Sequence, residues 1–172
     1  GEYSVTYLPC GSGQAVILSD TRGHATLIDC AGTSRSAAAL THEWMRLNGV
    51  PRIDTLILTA VDMGHARDLP QLMENVRVER ILIPSGCTET AKNMELLRLC
   101  EQYQAEEISE PQSIIGAAAP VSVFPVAEGK LGVCIADKVL FLHSATKKQL
   151  AAFAENGGKL PRADELMLAQ NT

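Results

Sequence analysis

The sequence predicts an α/β (α+β) fold in which two mixed β-sheets pack face to face between outer helices. The first half of the chain alternates strand and helix patterns, whereas the second half is mostly a meander of short strands. Its 172 residues are enough for one domain with a sizeable core, so we assign residues 1–172 to a single domain. The composition, 46% hydrophobic and 20% charged, is that of an ordinary globular protein.

The first half of the chain carries strand and helix signals in turn. Short apolar or alternating runs bounded by turn residues predict strands, and the run at 53–59 shows no alternation, which is typical of a fully buried strand. Apolar residues recur at helical spacing over 36–48; Thr33 or Ser34 can cap this helix, and Gly49 ends it. The predicted strands are 3–8, 15–18, 25–28, 53–59, 80–84 and 105–108, and the predicted helices are 36–48, 68–75 and 90–103.

The second half begins with a connector of small residues at 112–120. Three strand patterns follow, and a tight turn at 136–138 joins the last two as a hairpin. A helix and a final short strand are then predicted. These elements are strands 121–125, 131–135 and 139–142, helix 147–156 and strand 165–168.

Charge and cysteine usage exclude several functional classes. The net charge of −5 argues against attraction of the whole surface to nucleic acid or to an anionic membrane. No apolar run approaches the length of a membrane span, so we expect no direct membrane insertion by this segment. The five cysteines are odd in number and contain no Cys-x-x-Cys pair, which favours free thiols packed as small hydrophobes over a zinc ribbon or a redox motif.

The loop after the buried strand 53–59 has the layout of a metal-binding loop. Asp62 and His65 stand three residues apart between this strand and the next helix. A hydrolytic site here would need several ligands, as His-x-His-x-Asp-His or His-x-Asp-x-Asp-His. Ala60 and Gly64 hold two of those four places. Because hydrolytic zinc sites use at least three protein ligands and a water, the loop predicts a metallohydrolase scaffold without its metal.

Two further strand ends carry candidate site residues. His143 ends an apolar strand and Ser144 follows it, so a two-His-one-carboxylate site is conceivable if the fold brings His143 beside Asp62 and His65. Otherwise Asp62 would accept loop N–H groups and His65 would help to begin the helix. Asp29 either caps the loop that follows it or hydrogen-bonds a neighbouring site.

Three segments, residues 8–15, 27–30 and 58–70, together carry a family resemblance. They resemble Leu-Asp-Val-Gly-Gln-Gly-Asp-Ala, Leu-Ile-Asp-Thr-Gly and Leu-Thr-His-Pro-Asp-x-Asp-His-x-Gly-Gly-Leu-Pro of the metallo-β-lactamase superfamily. More closely, they resemble the soluble domain of ComEC-type DNA-internalisation competence proteins, which take up DNA across bacterial membranes. The likeness covers nearly the whole chain.

The resemblance implies a metallo-β-lactamase-like αββα sandwich with a C-terminus truncated relative to the family. It also implies metal ligands at seven places, of which only Asp62 and His65 keep a ligand side chain. At the other five places the chain departs from the family pattern, with Ala60, Gly64, Ser144, Gln170 and Asn171. The family's hydrolytic activity is therefore not expected here.

We predict a metal-free, non-catalytic domain of a ComEC-like protein that acts as a binding or scaffolding module linked to DNA uptake. Asp62, His65 and His143 would be vestigial metal ligands, and Asp29 and Ser144 would be binding residues. No cofactor is expected. The expected partners are DNA or the remainder of a membrane competence protein, and a sheet edge left open near 165–168 would allow homo-oligomers. The expected location is a soluble domain of a bacterial membrane protein.

Two alternatives remain. One is a metal-dependent phosphodiesterase or nuclease, in which zinc or manganese on Asp62, His65 and His143 would activate water. The other is an unrelated small-molecule binder whose pocket is formed by the strand-end loops near Asp29 and Asp62.

Overall fold

The computed structural model describes residues 2–136 and 138–141. Over this range the chain forms a six-stranded sheet, a four-stranded sheet and four helices. The strands are β1 (Tyr3–Tyr7), β2 (Gln14–Asp20), β3 (Ala25–Ala31), β4 (Thr55–Ile57), β5 (Ile81–Pro84), β6 (Glu106–Ile108), β7 (Gln112–Ile114), β8 (Val121–Ala127), β9 (Lys130–Ile135) and β10 (Lys138–Phe141). The helices are α1 (Ala37–Asn48), α2 (Met63–Ala66), α3 (Leu69–Asn75) and α4 (Met94–Gln102).

The first sheet contains the strand order β1-β2-β3-β4-β5-β6. The first three strands are antiparallel neighbours, and β3 to β6 run parallel. The helices lie in the connections between the parallel strands, as crossover connections require. The carboxyl ends of β3, β4, β5 and β6 therefore meet at one edge of the sheet.

Successive residues of the buried strands face two different cores. Ile17, Leu27 and Leu56 pack in the core between the first sheet and the helices. Their neighbours Leu18, Ile28 and Ile57 pack in the core between the two sheets, against residues such as Val123 and Val133. Because strand side chains alternate between faces, a strand buried on both faces has no solvent-facing position that favours a polar residue, which explains the continuous apolar runs in the sequence. The predicted packing of two sheets is confirmed.

The second sheet is an antiparallel meander in the order β10-β9-β8-β7. The predicted hairpin is present, since Lys138 of β10 pairs with Ile135 of β9. One prediction was wrong: the connector assigned to 112–120 contains β7, which pairs with β8 from Gln112↔Val123 to Ile114↔Val121. β7 has three residues, two of them exposed, so its sequence shows no apolar pattern. It is recognised as a strand only by its pairing with β8.

Helix boundaries also differ from the sequence prediction. Ser36 caps α1 by accepting the N–H of Ala39 at 3.1 Å; Thr33 instead binds the backbone of Ser12 and Cys10. The predicted helix 68–75 is preceded by a separate short helix, α2. The predicted helix 147–156 and strand 165–168 lie outside the described residues. Within the described part of the chain, no helix is long and apolar enough to cross a membrane.

Candidate functional site

Asp29 is a buried carboxylate near the carboxyl end of β3. A register shift between Gln14 and Val16 of β2 marks a β-bulge here, and Asp29 adopts a left-handed backbone with φ 61°. Its carboxylate accepts the N–H of Thr59 at 2.8 Å, the Thr59 hydroxyl at 2.8 and 3.0 Å, and the Gln14 amide at 3.0 Å. Asp29 thus ties β3 to the loop that follows β4. These bonds do not cap the loop that follows β3 itself.

Burial dominates the ionisation of Asp29. The side chain is fully buried, and the loss of hydration raises its pKa to about 6, although the positive charge of His65 and the bonds from Thr59 oppose this rise. Asp29 therefore lies close enough to His65 for their charges to interact, even though its hydrogen bonds go to Thr59 and Gln14.

Asp62 and His65 form a direct pair at the start of α2. His65 Nδ1 lies 2.6 Å from Asp62 Oδ1, and the side chains are 15% and 42% exposed, respectively. Burial alone would raise the pKa of Asp62, but the hydrogen bond and charge of His65 outweigh it and hold that pKa below its usual value. Burial likewise would lower the pKa of His65, but the bond to Asp62 and the charges of Asp29 and Asp62 raise it. The ionised pair is therefore the favoured state.

Asp68 is a structural residue of the site that sequence reasoning missed. Its Oδ2 accepts the N–H groups of Gly32 and Ala37, each at 2.8 Å, and its own N–H donates to Cys30 at 2.9 Å. It thereby satisfies the first turn of α1 from a different part of the chain. The sequence carried no signal for these long-range bonds. An acidic residue directly before a predicted helix indicates only that the helix begins there.

The loop residues do not fit a hydrolytic metal. Ala60 and Gly64 have no donor atoms, and Asp62 and His65 are bonded to each other. A Cβ at Gly64 would meet only Asp62 Oδ1, at 3.5 Å, so the missing donor there is a matter of residue type and not of space. Within residues 2–136 and 138–141, no three His, Cys, Asp or Glu side chains are grouped to hold a metal ion. His143 and Ser144, predicted as ligand and binding residue, lie outside the described residues.

A cleft of about 310 Å³ opens beside this loop. Its walls are residues 60–62 after β4, residues 86–88 after β5, Asn93, and residues 128–130 at the β8–β9 turn. Asn93 fixes two of these walls, because its amide donates to the carbonyls of Val61 at 3.1 Å and Thr88 at 2.9 Å. A larger cavity, of about 580 Å³, lies at the β2–β3 turn beside Trp44, at the opposite end of the strands.

Comparisons with known proteins identify the fold of the chain. No protein-family model and no curated protein matches the sequence. Among solved structures, the metallo-β-lactamase SMB-1 bound to 2-mercaptoethanesulfonate superposes with a TM-score of 0.56 at 15% identity, covering 75% of this chain and 54% of that one. A metallo-β-lactamase superfamily protein from the archaeon Sulfolobus tokodaii gives 0.51 at 13% identity, covering 81% and 62%. The chain has the metallo-β-lactamase fold.

A third neighbour with this fold is the peroxy diiron species of the chemotaxis sensor ODP. It superposes with a TM-score of 0.55 at 15% identity, covering 77% of this chain and 55% of that chain. At such identities the likeness is one of fold alone, and the chain spans 54–62% of the length of the three neighbours. In this version of the metallo-β-lactamase fold, the loop 60–65 and the cleft lie at the carboxyl ends of the parallel strands, the edge at which open α/β sheets commonly bind ligands.

Proposed function

We propose that the chain is a non-catalytic, metal-free binding domain with the metallo-β-lactamase fold. The observation that carries this proposal is the pairing of Asp62 with His65 at 2.6 Å in a loop whose other two ligand places are Ala60 and Gly64. A hydrolytic zinc site requires at least three protein ligands and a water. Two side chains that already bond each other do not meet that requirement.

The same loop is anchored by hydrogen bonds within the chain. Asp29 fixes Thr59, and Asn93 fixes the carbonyl of Val61, on either side of Ala60. Ordinary metal sites gain part of their order from the ion itself, whereas here buried hydrogen bonds within the chain supply it. This internal anchoring supports the proposed binding role, because the loop does not need an ion to hold its two ends.

We further propose that the domain belongs to a ComEC-like protein and works in DNA uptake, with DNA or another part of that protein as its partner. The segments 8–15, 27–30 and 58–70 support this parentage. The cleft beside Asp62 is the proposed contact area. Because the net charge is −5, binding to nucleic acid would have to be local and strongly dependent on salt.

Metal content and hydrolysis test the non-catalytic assignment. Protein purified without chelator is assayed by elemental analysis, and cleavage of bis(p-nitrophenyl) phosphate is followed with added Zn²⁺ or Mn²⁺. We expect no stoichiometric metal and a rate equal to that of the Asp62→Ala/His65→Ala double variant. About one metal per chain, lost in the double variant together with activity, would support the phosphodiesterase alternative instead.

Binding of DNA is measured separately, by fluorescence anisotropy of a labelled single-stranded oligonucleotide at low salt. Saturable binding that weakens as salt is added is the expected result. No binding at low salt would remove DNA as the direct partner and leave contact with the rest of the parent protein, which a pull-down with the recombinant remainder of that protein would test.

A further inference from the structure

Lys130 lines the cleft, and the backbone on either side of it is hydrogen-bonded in place. The residue before it, Gly129, donates its N–H to the carbonyl of Ser85 at 2.8 Å, after β5. The residue after it, Leu131, donates to the carbonyl of Thr59 at 2.9 Å, after β4. Both neighbours are thus hydrogen-bonded to the ends of two parallel strands. The Lys130 side chain lines the same cleft as Ala60 and Asp62 as a result.

The ammonium group of Lys130 has no fixed counter-ion among the described residues, since no ion pair there includes it. Its charge nevertheless acts on the candidate metal loop: it helps to lower the pKa of Asp62, after the larger effects of burial and of His65, and it slightly opposes the rise in the pKa of His65. Glu128, the other charged residue of the β8–β9 turn, is exposed.

We propose that the Lys130 ammonium takes the place of a metal ion's charge in this cleft: it balances Asp62 and keeps divalent cations out. The inference rests on the proposed metal-free function. Position supports it, because Lys130 is held over the end of β4, where the loop that would hold a metal begins. Chemistry supports it as well, because the carboxylates of Asp29 and Asp62 face the single positive charge of His65, and the negative charge that remains in this partly buried place needs a counter-ion.

The repulsion between an ammonium and a divalent cation is large enough to decide occupancy. Across a solvated gap of about 6 Å, a single and a double positive charge repel enough to weaken binding about tenfold, and more where the effective dielectric constant is lower. A loop with few ligands binds zinc weakly at best, so a further tenfold loss would leave the site empty at ordinary metal concentrations.

Zinc titration of designed variants tests the proposal. Gly64→Asp supplies a third donor in a place where the added Cβ has ordinary contact distances. In this background, Lys130→Gln removes the charge, Lys130→Arg keeps it, and Arg98→Gln removes a positive charge from the exposed face of α4 as a matched control. Zinc affinity is measured by competition with a chromogenic chelator, after circular dichroism has shown that each variant is folded.

We expect Gly64→Asp/Lys130→Gln to bind zinc at least about tenfold more tightly than Gly64→Asp. The variants with Lys130→Arg and Arg98→Gln should match the Gly64→Asp parent. Equal affinities across the four proteins would overturn the proposal. If none binds zinc, the series is repeated with Ala60→His added, and absence of zinc from that series too would show that Lys130 is not what excludes the ion.

The proposal and the proposed function fail in different ways. Stoichiometric zinc in the unaltered protein would overturn the metal-free function, whatever Lys130 does. A metal-free unaltered protein together with an unchanged affinity in the Lys130→Gln variant would leave the function standing and overturn only the role of Lys130.

Discussion

The carboxylate of Asp29 accepts both the backbone N–H and the hydroxyl of Thr59, each at 2.8 Å. The two residues stand near the carboxyl ends of neighbouring parallel strands, and neither is measurably exposed. Asp29 reaches Thr59 because a β-bulge gives it a left-handed backbone at φ 61°. The bond therefore fixes the point from which the loop 60–65 begins.

Replacement of Asp29 should separate its hydrogen bonds from its charge. Asp29→Ala leaves the buried Thr59 N–H without a partner and puts alanine in the left-handed region, so we expect a loss of about 3 kcal/mol in the free energy of unfolding. Asp29→Asn keeps an acceptor and tolerates this backbone conformation, so its loss should be clearly smaller. Urea unfolding at pH 7 measures both. Equal losses in the two variants would contradict the role assigned to the Thr59 bonds.

The charge of Asp29 should appear as a pH dependence of stability. Its pKa is raised from 3.8 to about 6 in the folded protein, so between these values the folded state holds a proton that the unfolded state has lost. The contribution to stability is therefore complete below about pH 4 and is lost as the pH rises through 6. Relative to Asp29→Asn, the wild type should lose on the order of 1–3 kcal/mol between pH 4 and pH 7. A stability difference that stays constant with pH would refute this.

The sequence predicted the parts of the fold that depend on local pattern. The buried strand around Leu56 was predicted from its apolar run. The helix before Gly49 was predicted from its apolar spacing and from the glycine that ends it in a left-handed conformation. The order of elements was sufficient to predict the fold, and the structure brings the loop residues Asp62 and His65 together as a hydrogen-bonded pair.

The features of the fold and of the site that the sequence did not predict depend on contacts between distant parts of the chain. Asp29 meets Thr59 thirty residues away, and Asp68 meets Gly32 across thirty-six. Lys130 lines the cleft because its neighbours Gly129 and Leu131 are hydrogen-bonded to the ends of β5 and β4. None of these pairings leaves a periodic or spacing signal, since each partner alone is an ordinary strand or loop residue.

Loss of Asp68 should destabilise the chain more than loss of the local cap. Asp68→Ala removes two bonds to backbone N–H groups at the start of α1, and a charged acceptor of this kind contributes about 2 kcal/mol or more. Ser36→Ala removes the bond to Ala39 alone and should cost about 1 kcal/mol. Thermal unfolding of both variants gives the comparison. A smaller loss in Asp68→Ala than in Ser36→Ala would show that α1 does not depend on Asp68.

Asp62→Asn should lower the pKa of His65. The imidazole would lose the charge of Asp62, and its hydrogen bond would go to a neutral amide oxygen that favours the protonated ring less, although the charge of Asp29 remains. The raised pKa of His65 contributes stability that is complete below the ordinary value of about 6.5 and is lost as the pH rises through the folded value. Because Asp62 is 42% exposed, we expect only about 1 kcal/mol from this pair. An NMR titration of the His65 ring in both proteins checks the direction, and an unchanged or higher pKa in Asp62→Asn would contradict it.

Gly86 and Gly23 offer a matched pair for testing how the β8–β9 turn is held against the cleft. Both have positive φ, 74° and 90°, so alanine should cost each about 1 kcal/mol through the backbone. A Cβ at Gly86 would also meet Cβ and Cγ of Glu128 at 3.2 and 3.3 Å, whereas nothing lies within 4 Å of one at Gly23. Gly86→Ala should therefore push the turn outward and lose more stability than Gly23→Ala.

Hydrogen exchange distinguishes displacement of the turn from general destabilisation. In Gly86→Ala, the N–H of Gly129, bonded to Ser85 in the unaltered protein at 2.8 Å, should exchange faster than the change in global stability accounts for. In Gly23→Ala, exchange at Gly129 should follow global stability alone. The same exchange rate at Gly129 in both variants, once corrected for stability, would mean that Glu128 moves aside and that the contact with Gly86 does not hold the wall of the cleft.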